Sequence, residues 1–306
     1  MTLREDLPLS KAPSRPLTKK PTAARQTKSV AITHAERVLY PADKITKGEI
    51  AAYYDAVAER LAPHLADRPV SIVRAPESIE ETFFQRHPLK GMETGIIPVQ
   101  VDTETYMALD GAIGLHIAAQ FGAIELHGWM SRIASLDAPD RMIFDLDPDE
   151  GLAFTEVKRA AADIAKNLLE VGLKSWPLLS GGKGVHIVIP LDGAGDYAET
   201  DPFAKALAQT LASRQPKRFV ATASKQRRKG RIFVDWLRNK KSATAILPWS
   251  LRARPGAPVA MPVSWEELAE IKSAAAFDIK TAVARKDPWS EFFKTKQALP
   301  SAAFDL

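Results

Sequence analysis

Residues 141–147, Arg-Met-Ile-Phe-Asp-Leu-Asp, decide how this chain is read. Met142, Ile143 and Phe144 form an apolar run leading into Asp145 and Asp147, the pattern of a β-strand that crosses a buried sheet and leaves it with two carboxylates. Residues i and i+2 of a strand share a face. The two carboxylates therefore stand side by side, each disfavouring ionisation of the other unless a cation lies between them. A divalent metal is the simplest remedy. The competing reading is a strand running into a turn, since Asp147-Pro148-Asp149-Glu150-Gly151 is good turn chemistry.

Downstream residues bear on the choice. Two apolar stretches flank Ser180-Gly181-Gly182-Lys183-Gly184 and read as strands joined by a glycine-rich turn. The glycines let the backbone approach a ligand and aim N–H groups at it, while Ser180 and Lys183 add a hydroxyl and a charge. That suits a phosphate, although the glycine spacing is not that of a Walker A loop, and a plain hairpin with a solvated lysine also fits. His186 alternates with apolar Val185 and Ile187 and points toward the same ligand. Residues 217–241 hold ten Lys or Arg and one acid, Asp235, which ends another apolar strand. Arg252 and Arg254 follow in a loop. Three strand-end aspartates, a glycine-rich turn and clustered arginines describe two-metal nucleotidyl transfer, in which two magnesium or manganese ions roughly 3.5–4 Å apart activate a 3′-hydroxyl and stabilise departing pyrophosphate.

Composition is compatible with this and excludes several other chemistries. With 306 residues, 45% apolar and 26% charged, the chain has the make-up of a globular protein with a substantial core. No run approaches the roughly 18–20 apolar residues of a membrane span, so a cytoplasmic protein is expected. Cysteine is absent, which removes disulfides, thiolate nucleophiles and zinc-thiolate sites. The net charge of +5 resides in residues 1–29, where seven basic side chains face two acids; the remainder has 35 of each sign. A disordered basic arm is expected there, passive or DNA-attracting, followed by a single domain over 30–306.

Within that domain, Thr46-Lys47-Gly48-Glu49 has capping-box spacing and opens a helix over about 47–62. Arg37 and Lys47 could converge on one anion near that helix N-terminus, or be scattered surface charge. A strand is expected at 69–74. In Phe83-Phe84, adjacent residues of an extended stretch face opposite ways, so one ring should be exposed among Arg74, Arg86 and His87 and free to stack on a nucleobase; alternatively both are packed. His127, after a partly helical stretch over 105–128, reads by default as a core or capping histidine. A helix follows from Phe154 to Gly172. Asp201-Pro202 suggests the start of another, through about 213, Ser264-Trp265-Glu266-Glu267 opens one through Lys272, and the tail over 271–306 is expected to be helical and docked by Trp289, Phe292 and Phe293.

The stretches Phe-Asp-Leu-Asp-Pro-Asp-Glu-Gly, Ser-Gly-Gly-Lys-Gly-Val-His, Gly-Arg-Ile-Phe-Val-Asp-Trp-Leu-Arg-Asn and Trp-Ser-Leu-Arg-Ala-Arg-Pro-Gly resemble, in order, the motifs of the polymerase domain of bacterial ATP-dependent DNA ligase D, in the archaeo-eukaryotic primase superfamily. The likeness runs from about Ile32 to Leu268. It implies an α+β fold with mixed central β-sheets flanked by helices and the active site in the cleft between them. It further implies Asp145, Asp147 and Asp235 as metal ligands. Ser180, Lys183, His186, Arg228, Arg238 and Arg252 would surround the incoming nucleoside triphosphate, with His127 near its sugar. Phe83 and Phe84 would lie at the primer-template end, and His34, Arg37 and Lys47 at the 5′-phosphate of a broken DNA end. Gap filling in non-homologous end joining at the nucleoid, a liking for ribonucleotides and manganese, and work with Ku and a ligase are also implied. Arg37 and Arg86 stand where lysine is common, and His34 where asparagine is. No ligase or nuclease module is expected in this stretch.

Two other D-x-D enzymes are disfavoured: a haloacid-dehalogenase-type phosphatase has small residues where Pro148 and Asp149 stand, and a glycosyltransferase gives the basic segment no role. A non-catalytic DNA-end-binding module explains the basic clusters but leaves three strand-end carboxylates without purpose.

Overall fold

The computed structural model describes residues 31–300, so the basic arm lies outside the described residues. In chain order the first strands are β1 (Val38–Tyr40), β2 (Ile45–Thr46), β3 (Val70–Arg74), β4 (Phe83–Gln85), β5 (Ile96–Val101) and β6 (Glu104–Leu109). Then come β7 (Ala123–Trp129), β8 (Ser131–Arg132), β9 (Ser135–Pro139), β10 (Arg141–Pro148), β11 (Trp176–Leu179) and β12 (Val185–Pro190). The last are β13 (Phe219–Val220), β14 (Ile232–Asp235), β15 (Thr244–Ile246) and β16 (Met261–Pro262). The helices are α1 (Lys47–Leu65), α2 (Gly111–Gln120), α3 (Phe154–Glu170), α4 (Tyr197–Arg214), α5 (Trp265–Glu270) and α6 (Ile279–Val283).

Two six-stranded sheets organise these elements. One has the order β13-β14-β10-β12-β11-β16, and the other β15-β7-β3-β6-β5 with β4 paired to β3. In the first, only β13 and β14 run parallel, so the expected mixed α+β architecture is present. Strand alternation gives each sheet two apolar faces. Met142, Phe144 and Leu146 of β10 join the large core with α3 and α4, while Ile143 joins Leu178, Val188, Met130 and Ile246 in a second core between the sheets. Asp145 and Asp147 continue the row begun by Ile143. The inter-sheet space is therefore apolar at one end and acidic at the other.

The Thr46–Glu49 capping box is formed, and α1 runs three residues beyond the expected end, burying Ile50, Tyr53, Tyr54, Val57, Leu61 and Leu65. Helix α4 corrects an expectation: it starts at Tyr197, because Asp196 accepts the Glu199 N–H, and Pro202 falls inside it. Pro202 is the sixth helical residue and gives up the bond an N–H there would make to the Ala198 carbonyl, so Asp201-Pro202 was a misleading start signal, and Asp196 with Glu199 was the better one. The tail is corrected too. Beyond 270 the only helix among the described residues is α6, and the chain is held instead by Trp289 and Phe292, buried and stacked with centroids 5.0 Å apart. The second sheet also takes in β15, far along the chain, beside β7, which ties late and early parts of the chain together.

Beneath the sheets, fully buried Arg68 donates from Nη2 to both Asp140 oxygens, at 2.7 and 2.6 Å, and Arg132 Nε donates to Asp140 at 2.7 Å. Burial alone would raise the Asp140 carboxyl, but Arg141, Arg68 and Arg132 outweigh it and hold it far below the usual carboxylate range. The ionised form is thus favoured by folding, and its contribution is full above about pH 4 and fades as pH falls. Asp140→Asn leaves buried guanidinium unpaired and should cost about 3–5 kcal/mol. Urea denaturation at pH 7 and at about pH 2.5, below the unfolded carboxyl's range, should show the gap from wild type narrowing in acid.

Candidate active site

Register brings the carboxylates together from distant parts of the chain. On antiparallel strands Asp145 is the direct partner of Asp235 on one side and of His186 on the other. Paired residues share a face, as do i and i+2, so all three aspartates and His186 face the cleft. Asn239, buried in the turn after Asp235, fastens this arrangement: its Oδ1 accepts the Ile143 N–H at 2.8 Å and its Nδ2 donates to the Ile143 carbonyl at 2.7 Å. Nothing in the sequence set Asn239 apart from any polar turn residue.

Electrostatically the trio is uneven. Burial raises Asp145, but the His186 ring, with Nε2 3.3 Å from Oδ1, and then Arg238 and Arg252 outweigh it and bring the carboxyl to about 2. Asp235 stays raised, by burial first and with the Asp145 charge adding to it against Arg238. Arg238 lies across both, 3.5 Å from Asp145 and 3.3 Å from Asp235, and Arg228 donates to Asp147 at 2.8 Å. Among the described residues no group of three or more acidic or histidine side chains is gathered closely enough to hold a metal ion. Guanidinium groups meet these carboxylates instead. In chemistry and facing, however, the donors are hard oxygens suited to magnesium or manganese, and His186 Nδ1 is buried without a partner beside them.

The glycine-rich turn departs from expectation. Gly181 N–H donates to Ala274 O, Gly182 and Gly184 N–H to Ser180 Oγ, and Ser180 N–H to Gly184 O. Four of the five backbone donors are thus spent on the protein, leaving the Ser180 hydroxyl hydrogen and Lys183 to meet a ligand. Lys183 is paired with Glu150 at 3.1 Å.

The opposite wall belongs to the second sheet. Ser71 pairs with His127 across β3 and β7, and Phe84 with Val73 across β3 and β4, which puts Ser71, His127 and Phe84 on one face. Ser71 Oγ is buried without a partner. Both phenylalanines are exposed, Phe83 by 48% and Phe84 by 53%, where one was expected. Strand β4 pairs only with β3, and no element packs closely over either of its faces at these two rings. A cavity of about 360 Å³ runs from Phe84, Arg86 and Ser71 to Asp235 and Arg238. His127 is no isolated core histidine, because its Nε2 meets Glu125 at 2.8 Å, and Glu125 also receives Arg252. Glu125 was not anticipated; a carboxylate two residues before a histidine on an apolar strand was the available signal.

At α1, burial and then nearby Arg37 lower the Lys47 pKa, so the two cations are neighbours. The helix N-terminus is not free for an anion: Lys47 and Gly48 N–H donate to the Arg37 and Ala35 carbonyls, and Thr46 takes the Glu49 N–H. Arg37 meets Pro76 O and Glu77, Lys47 meets Thr33 O and Gln120, and His34 holds a left-handed φ of 52°. That conformation is one in which asparagine and histidine are both enriched. Arg74, on β3 near the aromatic pair, has a buried Nε without a partner.

Two sheets facing across a cleft, with carboxylates on one wall and imidazole and aromatic groups on the other, have the organisation of a primase-polymerase domain. The chain belongs to the LigD primase-polymerase domain family, whose model matches residues 46–292. The multifunctional non-homologous end joining protein LigD of Pseudomonas aeruginosa is 35% identical over 287 residues, 90% of this chain and 34% of that protein. The LigD of Mycolicibacterium smegmatis is 34% identical over 257 residues, 82% of this chain and 34% of that protein. The chain therefore spans about a third of the length of these relatives. The polymerase domain of Mycobacterium tuberculosis ligase D, solved in complex with DNA, matches with a TM-score of 0.79 at 30% identity, covering 88% of this chain and 99% of that domain.

Proposed function

We propose that this protein is a template-dependent nucleotidyltransferase that extends and fills broken DNA ends in non-homologous end joining, at the nucleoid, with ribonucleotides favoured. The observation that carries the reading is the in-register pair Asp145 and Asp235, with Asp147 on the same face, in a cleft crowded with arginines. Asp145, Asp147 and Asp235 would hold magnesium or manganese, which when bound activates the attacking hydroxyl and neutralises the leaving pyrophosphate. Arg228, Arg238, Arg252, Lys183 and the Ser180 hydroxyl would meet the triphosphate, with His186 beside Asp145. Phe83 and Phe84, exposed near Arg74 and Arg86, suit stacking on bases of the primer-template. Ku and a ligase are the partners this role calls for, and the DNA-bound relative supports a DNA substrate. A purely DNA-end-binding role leaves the directly opposed carboxylate pair unexplained.

The test is extension of a primer on gapped DNA with labelled nucleoside triphosphate and manganese. Incorporation directed by the template is expected, and none at all would refute the reading. His34, Arg37 and Lys47 form the proposed 5′-phosphate pocket. Lys47→Ala should reduce the preference for a 5′-phosphorylated gap by about tenfold, the worth of a charge-assisted hydrogen bond, while extension of a plain primer continues. An unchanged preference would move that pocket elsewhere.

A further inference from the structure

Glu125 and His127 are two apart on β7 and face the cleft together. The Glu125 side chain is 8% exposed and serves three donors: His127 Nε2 at 2.8 Å on one oxygen, Arg252 Nε at 3.0 Å and the Ala253 N–H at 2.9 Å on the other. Burial would raise its carboxyl, but His127, Arg252 and Ala253 outweigh this and bring it to about 2. Glu125 is thus ionised, and an ionised carboxylate only accepts.

That settles which ring nitrogen of His127 carries hydrogen. Nε2 must donate to Glu125, and burial, against the pull of Glu125, keeps the ring neutral by lowering its pKa. The lone pair is then on Nδ1, which has no protein partner among the described residues. The ring stands edge-on to Phe84, with centroids 5.8 Å apart. A lone pair there accepts from a hydroxyl and repels a phosphate oxygen. Arg252, held through Nε by Glu125 and through Nη1 by the Ser180 carbonyl at 2.6 Å, has Nη2 left for the opposite kind of group. One buried carboxylate thereby sets an acceptor for a hydroxyl and a donor for a phosphate into the same cleft.

We propose that Glu125 is a positioning residue that imposes the Nε2–H tautomer on His127 and so makes it the reader of a pentose hydroxyl on the incoming nucleotide. The hydroxyl assignment rests on the nucleotidyltransferase reading. In Glu125→Gln the amide oxygen retains Arg252 and Ala253, and the amide NH₂ faces His127, so the ring must reverse to the Nδ1–H tautomer. A hydroxyl bound there would have to accept, leaving its own hydrogen unpartnered.

Nitrogen-15 NMR of the full chain, with the His127 signals identified by their loss in His127→Gln, should show Nε2–H in the wild type and Nδ1–H in Glu125→Gln. Steady-state extension is then compared for an NTP, its 2′-deoxy and its 3′-deoxy analogue. In the wild type the analogue lacking the read hydroxyl should raise KM about tenfold with kcat little changed, and in Glu125→Gln that ratio should fall below about threefold. Equal ratios in the two proteins overturn the proposal. The wild-type tautomer decides even where Glu125→Gln fails to fold, since Nδ1–H in an active wild type overturns the role of Glu125 alone. A wild type that shows Nε2–H but incorporates nothing overturns the polymerase reading and the hydroxyl assignment with it.

Discussion

Asp145→Ala should reduce nucleotide incorporation by about a thousandfold or more, from a metal contribution of several kcal/mol at about 1.4 kcal/mol per tenfold. The fold should survive. The substitution removes the partner of His186 and one of the two carboxylates of Arg238, but it also relieves the like charge that helps to raise Asp235. Circular dichroism should therefore be unchanged and the thermal midpoint shifted only slightly. Template-directed incorporation within a few-fold of wild type would remove Asp145 from the reaction and leave the carboxylate row without its proposed purpose. The comparison with Lys47→Ala is informative, because that change should alter which DNA ends are chosen while leaving simple extension intact.

The acidic row was legible in the sequence because strand periodicity is local. Asp145 and Asp147 had to share a face once Met142–Phe144 were read as a strand, and Asp235 ended an equally clear one. That Asp235 would stand directly opposite Asp145 was not legible, since register between strands ninety residues apart is a tertiary property. The same limit hid Glu125. Its meaning comes from Arg252 and Ala253, which lie more than 120 residues away, whereas its helpful neighbour His127 reads on its own as a core histidine. The aromatic pair shows a different limit. Alternation places Phe83 and Phe84 on opposite sides, but whether either side is covered depends on what the fold packs over β4, and both are left open.

The glycine-rich turn shows how a correct motif can carry a partly wrong reason, and it supplies the second large effect. Its glycines were read as room for a ligand, yet a Cβ on Gly184 would lie 2.1 Å from the Leu146 carbonyl oxygen, and one on Gly181 would lie 2.7 Å from Arg252 Cγ and 3.0 Å from the Val259 backbone. Only Gly182 has ordinary clearance, with nothing nearer than 3.5 Å. The Gly184 contact is with the backbone of β10 between Asp145 and Asp147, and a backbone in a paired central strand cannot move aside as a side chain can. Gly184→Ala should therefore push β12 away from β10, strain the Ser180–Gly184 hydrogen bonds, and cost about 3 kcal/mol or more of stability. Because the displaced strand carries His186, incorporation should fall even in the folded fraction. Gly182→Ala is the matched control, a similar change in the same turn with little steric conflict, and should leave stability within about 1 kcal/mol of wild type. Urea denaturation of the two variants reads the difference directly. Equal stabilities would mean that the close approach of the two strands is not what Gly184 is there to permit.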